Sequence, residues 1–114
     1  MRLIQGVRLI DGTGDPPQSD AAVLVNDQGR IEEVGNLQQL SYPQGTEVTQ
    51  ASGLTLIPGL IDCHDHLSSF TYDLMSRWGF TEPRSLRHLR IAKVMEETLH
   101  TGYTTIRDCG WLDA

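Results

Sequence analysis

The sequence predicts an α/β protein that begins with a small all-β part. Three observations indicate this fold class. Short β-prone runs separated by turn residues fill residues 1–57, the pattern changes at Pro58 and Gly59, and a strand, a helix and a second strand follow. We therefore expect two parts, residues 1–57 and residues 58–114.

The all-β part is predicted from runs of apolar and β-branched residues. The clearest turn is 26–29, where Asn, Asp and Gly tolerate left-handed backbone. Residues 11–17 can form only a loop, because Pro lacks the backbone donor that a sheet needs and Gly interrupts regular structure. The predicted strands are Leu3–Ile4, Val7–Ile10, Ala22–Val25, Ile31–Val34, Glu47–Thr49 and Leu54–Ile57.

The second part has the pattern of a βαβ unit. Leu60–His64 is a mostly apolar run, typical of strands that are buried on both faces. A helix is predicted between Pro83, which suits a first turn, and Gly102, a natural stop. Its apolar residues recur every three or four positions: Leu86, Leu89, Ala92, Met95 and Leu99.

Tyr103–Arg107 has the composition of a second strand, and a helical crossover makes the two strands parallel. Parallel strands are almost always covered on both faces, and a βαβ unit alone leaves both strand edges unpaired. We therefore expect this chain to be the start of a larger α/β protein.

Charge and composition argue against several classes of function. Fifteen acidic residues outnumber 9 basic ones, for a net charge of −6, so we expect no nucleic-acid or membrane-surface partner. No apolar run approaches the roughly 20 residues that cross a bilayer. Cys63 and Cys109 are the only cysteines and form neither a disulfide framework nor a CxxC site. These features predict a cytoplasmic protein.

His64 and His66 are the candidate metal ligands. In a strand, residues i and i+2 share a face about 6.5 to 7 Å apart, so both imidazoles can reach one ion. Asp62 shares that face, whereas Cys63 and Asp65 point the other way. The pair stands at a strand end, where parallel sheets place their active sites, although two histidines there can also be simple surface residues. Two ligands are an incomplete site, since catalytic zinc keeps about three protein ligands and structural zinc about four.

Other polar residues are predicted to have ordinary roles. His88 and His100 lie about 120° apart around the helix axis and cannot converge on one ion. Lys93 is interpreted as a solvated charge.

Asp108 and Cys109 close the second strand and could face the same end of the sheet as His64 and His66, but the sequence does not fix which face each occupies. By default Cys109 is expected to be a small buried hydrophobe, and Asp108 a loop cap or an ion-pair member.

The residues 70–80 are rich in aromatic side chains and follow the first strand of the second part. These residues either contribute to a substrate pocket or form a loop that simply covers the strand end. The sequence assigns no individual substrate-binding residue.

The stretches "LIPGLIDCHDHL" and "LHTGYTTIRDCG" resemble the start of the amidohydrolase superfamily, nearest its imidazolonepropionase-like and prolidase-like metal-dependent hydrolases. The preceding "GVRLIDGTG" and "VLVNDQGRIEEVG" are similar to the small β-sandwich that those enzymes carry beside their barrel. The resemblance spans nearly the whole chain.

The resemblance implies the start of a (β/α)8 TIM barrel and a partial β-sandwich, both incomplete in this chain. It carries two metal ligands of the first barrel strand over to His64 and His66, which implies one or two divalent ions, with zinc the expected metal. The implied reaction is the metal-dependent hydrolysis of a C–N bond in a small cyclic amide or a dipeptide. The family's catalytic aspartate and remaining ligands lie on later strands, so no catalytic residue is carried over, and Lys93 does not match the bridging lysine.

We therefore expect an N-terminal fragment of a metal-dependent hydrolase that is inactive as an isolated chain. The alternative is a stand-alone metal-binding or self-associating module without catalysis, which would cover its strand edges in a homo-oligomer or with a complementing chain. A third interpretation is a small β-rich protein that binds no metal.

Overall fold

The structure consists mostly of strands. This computed structural model describes residues 1–68 and 83–110, and the chain divides into two units, Met1–Pro58 and Gly59–Ala114. The elements of the described residues are β1 (Arg2–Leu9), β2 (Gln18–Val25), β3 (Ile31–Asn36), β4 (Glu47–Gln50), β5 (Thr55–Leu56), β6 (Leu60–Asp65), α1 (Arg84–His100) and β7 (Tyr103–Asp108).

The first unit is all-β, as the sequence predicts. Its sheet has the order β3-β2-β1-β4, and β5 also pairs with β1. Strands β1, β2 and β3 pair antiparallel, whereas β4 and β5 pair parallel with β1. The two strands predicted on either side of Gly6 form one strand, because Gly6 adopts a φ of 76° and makes a bulge instead of a break.

Apolar side chains are buried on both faces of this sheet. One cluster contains Val7, Leu9, Ala21, Val23 and Ala51, and the other contains Leu3, Ala22, Leu24 and Leu40. In a regular strand Leu3 and Val7 would share a face, yet they belong to different clusters because the bulge at Gly6 shifts the alternation. Both side chains are almost fully buried, which stabilises the fold by about 1.5 to 3 kcal/mol for each.

The predicted turn at residues 26–29 joins β2 to β3. The side-chain oxygen Oδ1 of Asn26 accepts hydrogen bonds from the backbone N–H groups of Gln28 at 3.1 Å and Arg30 at 3.0 Å. Gly29 has a φ of 75°, which is the left-handed backbone that the turn requires. The sequence signal and the structure therefore agree at this hairpin.

The second unit contains a βαβ arrangement. β6 pairs parallel with β7, and the register places Leu60 opposite Tyr103 and Asp65 opposite Asp108. The helix α1 begins directly after Pro83 and ends two residues before Gly102, which has a φ of 98°. The predicted helix and the parallel pairing are thus confirmed.

Much of the apolar surface of the second unit is exposed among the described residues. Ile91 is the buried residue of α1, whereas Leu89 is 71% exposed and Ile61 of β6 is 65% exposed. The described sheet has only these two strands, so each presents one unpaired edge. Within residues 1–68 and 83–110, α1 is neither long nor apolar enough to cross a bilayer.

Candidate metal centre

His64 and His66 lie together where β6 ends. Their ring centroids are 5.3 Å apart, and the ring planes meet at 73°. His64 is exposed, whereas His66 is half-buried. The predicted proximity of the two imidazoles is therefore present in the structure, and both rings lie at the carboxyl end of a parallel strand.

Two aspartates of β6 fix the backbone at this point. Oδ1 of Asp62 accepts a hydrogen bond from the backbone N–H of His64 at 2.9 Å. Oδ1 of Asp65 accepts one from the backbone N–H of His66 at 2.7 Å. Each carboxylate thus satisfies a backbone donor at the strand end, where the ladder with β7 is irregular.

The described part of the chain brings no third ligand to the two histidines. Among residues 1–68 and 83–110, no group of three His, Cys, Asp or Glu side chains could hold a metal ion. Asp62, which the sequence places on the histidine face, does not complete such a group, and its Oδ1 is engaged by the backbone. The described residues therefore offer two imidazole donors and no closed site.

Asp108 joins the end of β7 to the residues that follow β6. Its Oδ2 accepts a hydrogen bond from the backbone N–H of Leu67 at 3.0 Å, and its Oδ1 accepts one from the backbone N–H of Gly110 at 2.8 Å. The sequence left a loop cap and an ion pair open for this residue, and the structure shows the loop cap. The Asp-x-Gly spacing at 108–110 was a signal for the bond within the turn, but not for the bond to Leu67.

A second set of contacts connects the two strand ends around His66. The backbone N–H of Cys109 donates to the carbonyl oxygen of Asp65 at 2.8 Å. Nδ1 of His66 lies 3.4 Å from the carbonyl oxygen of Gly110. The residues after β7 therefore form one side of the surroundings of His66.

Cys109 is exposed in the structure, so the prediction that it is a buried hydrophobe is wrong. It lies just beyond the end of β7, where its backbone N–H bonds to Asp65 and its Sγ lies 3.7 Å from the carbonyl oxygen of Arg107. Composition alone favours burial for a free cysteine, but position at a strand end overrides that preference.

The helix supplies no further ligand. His88 and His100 are both exposed on α1, as expected for ordinary residues of a helix surface, and they belong to no group of three possible ligands among the described residues. Nζ of Lys93 donates a hydrogen bond to Glu96 at 2.9 Å and lies 3.9 Å from Glu97. The hydrogen bond to Glu96, followed by the charges of Glu96 and Glu97, raises the pKa of Lys93 above 10.5. Lys93 is therefore a surface cation, as the sequence predicts. The aromatic-rich residues 70–80, the expected pocket segment, lie outside the described residues.

No protein-family model matches the sequence. The sequence is 45% identical to a dihydroorotase from Geobacter metallireducens over 67 residues, which cover 57% of this chain and 14% of that protein. It is 39% identical to an imidazolonepropionase from Idiomarina loihiensis over 64 residues, which cover 56% of this chain and 15% of that protein. The match thus spans about a seventh of the length of these curated relatives.

Solved structures match nearly the whole chain. A prolidase in complex with N-methylphosphonate-L-proline has a TM-score of 0.81 at 25% sequence identity, covering 98% of this chain and 26% of that one. An amidohydrolase has a TM-score of 0.78 at 30% identity, covering 95% of this chain and 25% of that one. The partial coverage of these proteins fits an N-terminal portion, and the named relatives and solved structures support a place for this chain in the amidohydrolase superfamily.

Proposed function

We propose that this chain is the N-terminal portion of a metal-dependent amidohydrolase in which His64 and His66 hold a divalent metal ion. The observation that carries the proposal is the pair of imidazole rings, 5.3 Å apart, at the end of β6. The similarity to members of the superfamily supports it independently. Zinc is the proposed metal, as one ion or two.

The donor set fits such an ion as an incomplete site. Neutral imidazole is a good ligand for zinc and its neighbours among the transition metals, and the i, i+2 spacing brings two such donors together. Catalytic zinc keeps about three protein ligands and an open position. The remaining ligands must therefore come from residues other than the described ones, and most simply from further barrel strands.

The proposed reaction is the hydrolysis of a C–N bond in a small amide, either a cyclic amide or a dipeptide. A bound divalent ion would lower the pKa of water to about 7 and polarise the substrate carbonyl. The names of the relatives support this substrate class, since they include a dihydroorotase, an imidazolonepropionase and a prolidase. The contribution of this chain is to orient two ligands on a short parallel ladder.

The proposed architecture makes residues 58–114 the first βαβ unit of a (β/α)8 barrel and residues 1–57 part of a β-sandwich. The parallel pairing of β6 with β7 and the exposed apolar side chains of the second unit support this assignment. Barrel enzymes place their ligands at the carboxyl ends of the strands, which is where His64 and His66 lie. We further propose that the protein is cytoplasmic.

Metal titration tests the ligand assignment. We expect the chain to bind zinc in calorimetry, and we expect His64→Ala and His66→Ala each to remove most of the affinity. His100→Ala is the matched control, because it removes an exposed imidazole from α1 and should bind zinc like the unsubstituted chain. Equal binding by all four proteins would contradict the assignment of the ligands.

The absence of a third ligand among the described residues leads to a prediction about activity. We expect the isolated chain to hydrolyse neither dihydroorotate nor X-Pro dipeptides above background. Turnover that His64→Ala abolishes would overturn this expectation. A functional hydrolase should be several times heavier than 12.7 kDa, so the intact mass of the protein from its own cell tests whether this chain is part of one.

The second candidate function is a metal-binding or self-associating module without catalysis. The exposure of Ile61 and Leu89, together with the unpaired edges of the described β6–β7 ladder, favours it. It predicts a monodisperse oligomer whose assembly depends on zinc. Light scattering with and without zinc tests this prediction, since a monomer under both conditions counts against this function.

A further inference from the structure

The hydrogen bonds of Asp108 converge on the surroundings of His66. One carboxylate oxygen accepts from the backbone N–H of Leu67, the residue directly after His66. The other oxygen accepts from the backbone N–H of Gly110, and the carbonyl oxygen of this same glycine lies 3.4 Å from Nδ1 of His66. A single side chain thus bonds to Gly110, one partner of the His66–Gly110 contact, and to Leu67, the residue next to the other partner.

The chemistry of that contact determines the position of a proton. A carbonyl oxygen can only accept a hydrogen bond, so the contact is a hydrogen bond only when Nδ1 of His66 carries the proton. In a neutral imidazole one nitrogen is protonated and the other has the lone pair. A proton on Nδ1 therefore places the lone pair of His66 on Nε2.

The contact is long and weak by itself, because ordinary N–H···O bonds span about 2.7 to 3.2 Å. Its persistence depends on how firmly Gly110 is held. Gly110 adopts a φ of 134°, which favours glycine strongly, and its N–H bond to Asp108 at 2.8 Å fixes the turn. The backbone N–H of Cys109, which donates to Asp65, provides a second anchor between the strand ends.

The geometry points to Asp108 as a positioning residue for His66: its carboxylate orients Leu67 and Gly110 so that His66 holds its proton on Nδ1 and presents the lone pair of Nε2. The value of this arrangement for a metal rests on the function proposed above. Hydrogen bonds behind ligating histidines commonly fix the ring and its tautomer, and their loss lowers metal affinity roughly 10- to 100-fold.

Nitrogen NMR on the metal-free chain tests the tautomer directly. At about pH 8.5 an ordinary imidazole is neutral, and two-bond proton–nitrogen correlations distinguish Nδ1–H from Nε2–H. We expect Nδ1–H for His66 in the unsubstituted chain and a shift toward Nε2–H, the form that a solvated ring prefers, in Asp108→Ala. Asp62→Ala is the matched control, because it removes another carboxylate that caps a backbone N–H of the same strand end.

The outcomes separate the inference from the proposed function. An Nε2–H pattern for His66 in the unsubstituted chain, or an identical pattern in Asp108→Ala, overturns the positioning role. If Asp108→Ala does not fold, Asp108→Asn is used instead. The amide group of Asn can accept only one of the two hydrogen bonds from Leu67 and Gly110, because its nitrogen is a donor, so the tautomer of His66 should shift in part. A chain that binds no zinc but keeps the expected tautomers refutes the proposed function alone.

Discussion

Gly59 and Thr104 lie so close that a side-chain carbon on residue 59 would overlap the side chain of Thr104. The contact joins the two sequence stretches on which the resemblance rests, since Gly59 directly precedes β6 and Thr104 belongs to β7. The backbone N–H of Leu60 donates to the carbonyl oxygen of Gly102 at 2.9 Å beside it. The glycine is therefore required for space and not for a left-handed backbone.

We predict that Gly59→Ala destabilises the chain by about 1 to 3 kcal/mol, the usual range for overpacking. Rotation of Thr104 cannot relieve the overlap, because its Cβ is also only 2.7 Å from the added carbon. Urea denaturation measures the loss. Gly35→Ala is the control, since nothing lies within 4 Å of the added carbon there and the change should be close to neutral.

A double variant identifies the cause of that loss. Thr104→Gly removes the three atoms nearest to the new methyl group, so Gly59→Ala should cost less in the Thr104→Gly background than in the unsubstituted chain. Strict additivity of the two changes would mean that the loss arises elsewhere.

Gln5 of β1 contains a buried side-chain oxygen, Oε1, without a hydrogen-bond partner among the described residues. An unsatisfied buried acceptor costs about 1 to 3 kcal/mol, so Gln5→Met should raise the free energy of unfolding by about 1 kcal/mol. Gln50 lies opposite Gln5 in β4 and is exposed, which makes Gln50→Met the matched control. A loss of stability in Gln5→Met alone would indicate that this oxygen is satisfied by water.

Lys93 is the only lysine, so its titration is directly observable by NMR. The hydrogen bond that Lys93 donates to Glu96, and then the charges of Glu96 and Glu97, raise its pKa above 10.5. A raised folded-state pKa means that its stabilising contribution is complete below pH 10.5 and is lost as the pH rises through the folded-state value.

We expect Glu96→Gln to lower the pKa of Lys93 more than Glu97→Gln does, because Glu96 supplies both the hydrogen bond and the nearer charge. The opposite order would show that the pair with Glu96 does not persist in solution. In either variant Lys93 stays an ammonium at neutral pH, because the ordinary lysine pKa of 10.5 lies well above 7.

Local signals predicted most of the secondary structure. The helix between Pro83 and Gly102 follows from residue spacing, and the turn after Asn26 follows from its Asx and Gly residues, because both depend on neighbours in sequence. The bulge at Gly6 was missed, since a glycine between two strand-like runs predicts a break as readily as a bulge.

Only the part of the candidate site that depends on neighbours along one strand was predictable from the sequence. The i, i+2 spacing brings His64 and His66 together through strand geometry alone. The bonds from Asp108 to Leu67 and from Gly110 to His66 depend on the register between β6 and β7, which the sequence left undetermined. The exposure of Cys109 was missed for another reason, because residue type favours burial and its position at a strand end was given too little weight.

The two histidines should differ in their importance for the metal-free fold. His64 is exposed, and exposed substitutions usually change stability by less than about 0.5 kcal/mol. His66 is half-buried and contacts the carbonyl oxygen of Gly110, so His66→Ala should cost roughly 1 kcal/mol more than His64→Ala. Thermal or urea denaturation in the presence of a chelator measures the difference.

The two variants should not differ in the increase in stability that zinc produces. A ligand that binds only the folded chain raises its stability. Because both histidines are needed to bind the ion, His64→Ala and His66→Ala should lose the zinc-dependent increase to the same extent. His100→Ala should keep that increase. Equal metal-free stabilities of His64→Ala and His66→Ala would contradict the structural role of the Gly110 contact, whereas a zinc-dependent increase that survives in either variant would contradict the joint binding of one ion.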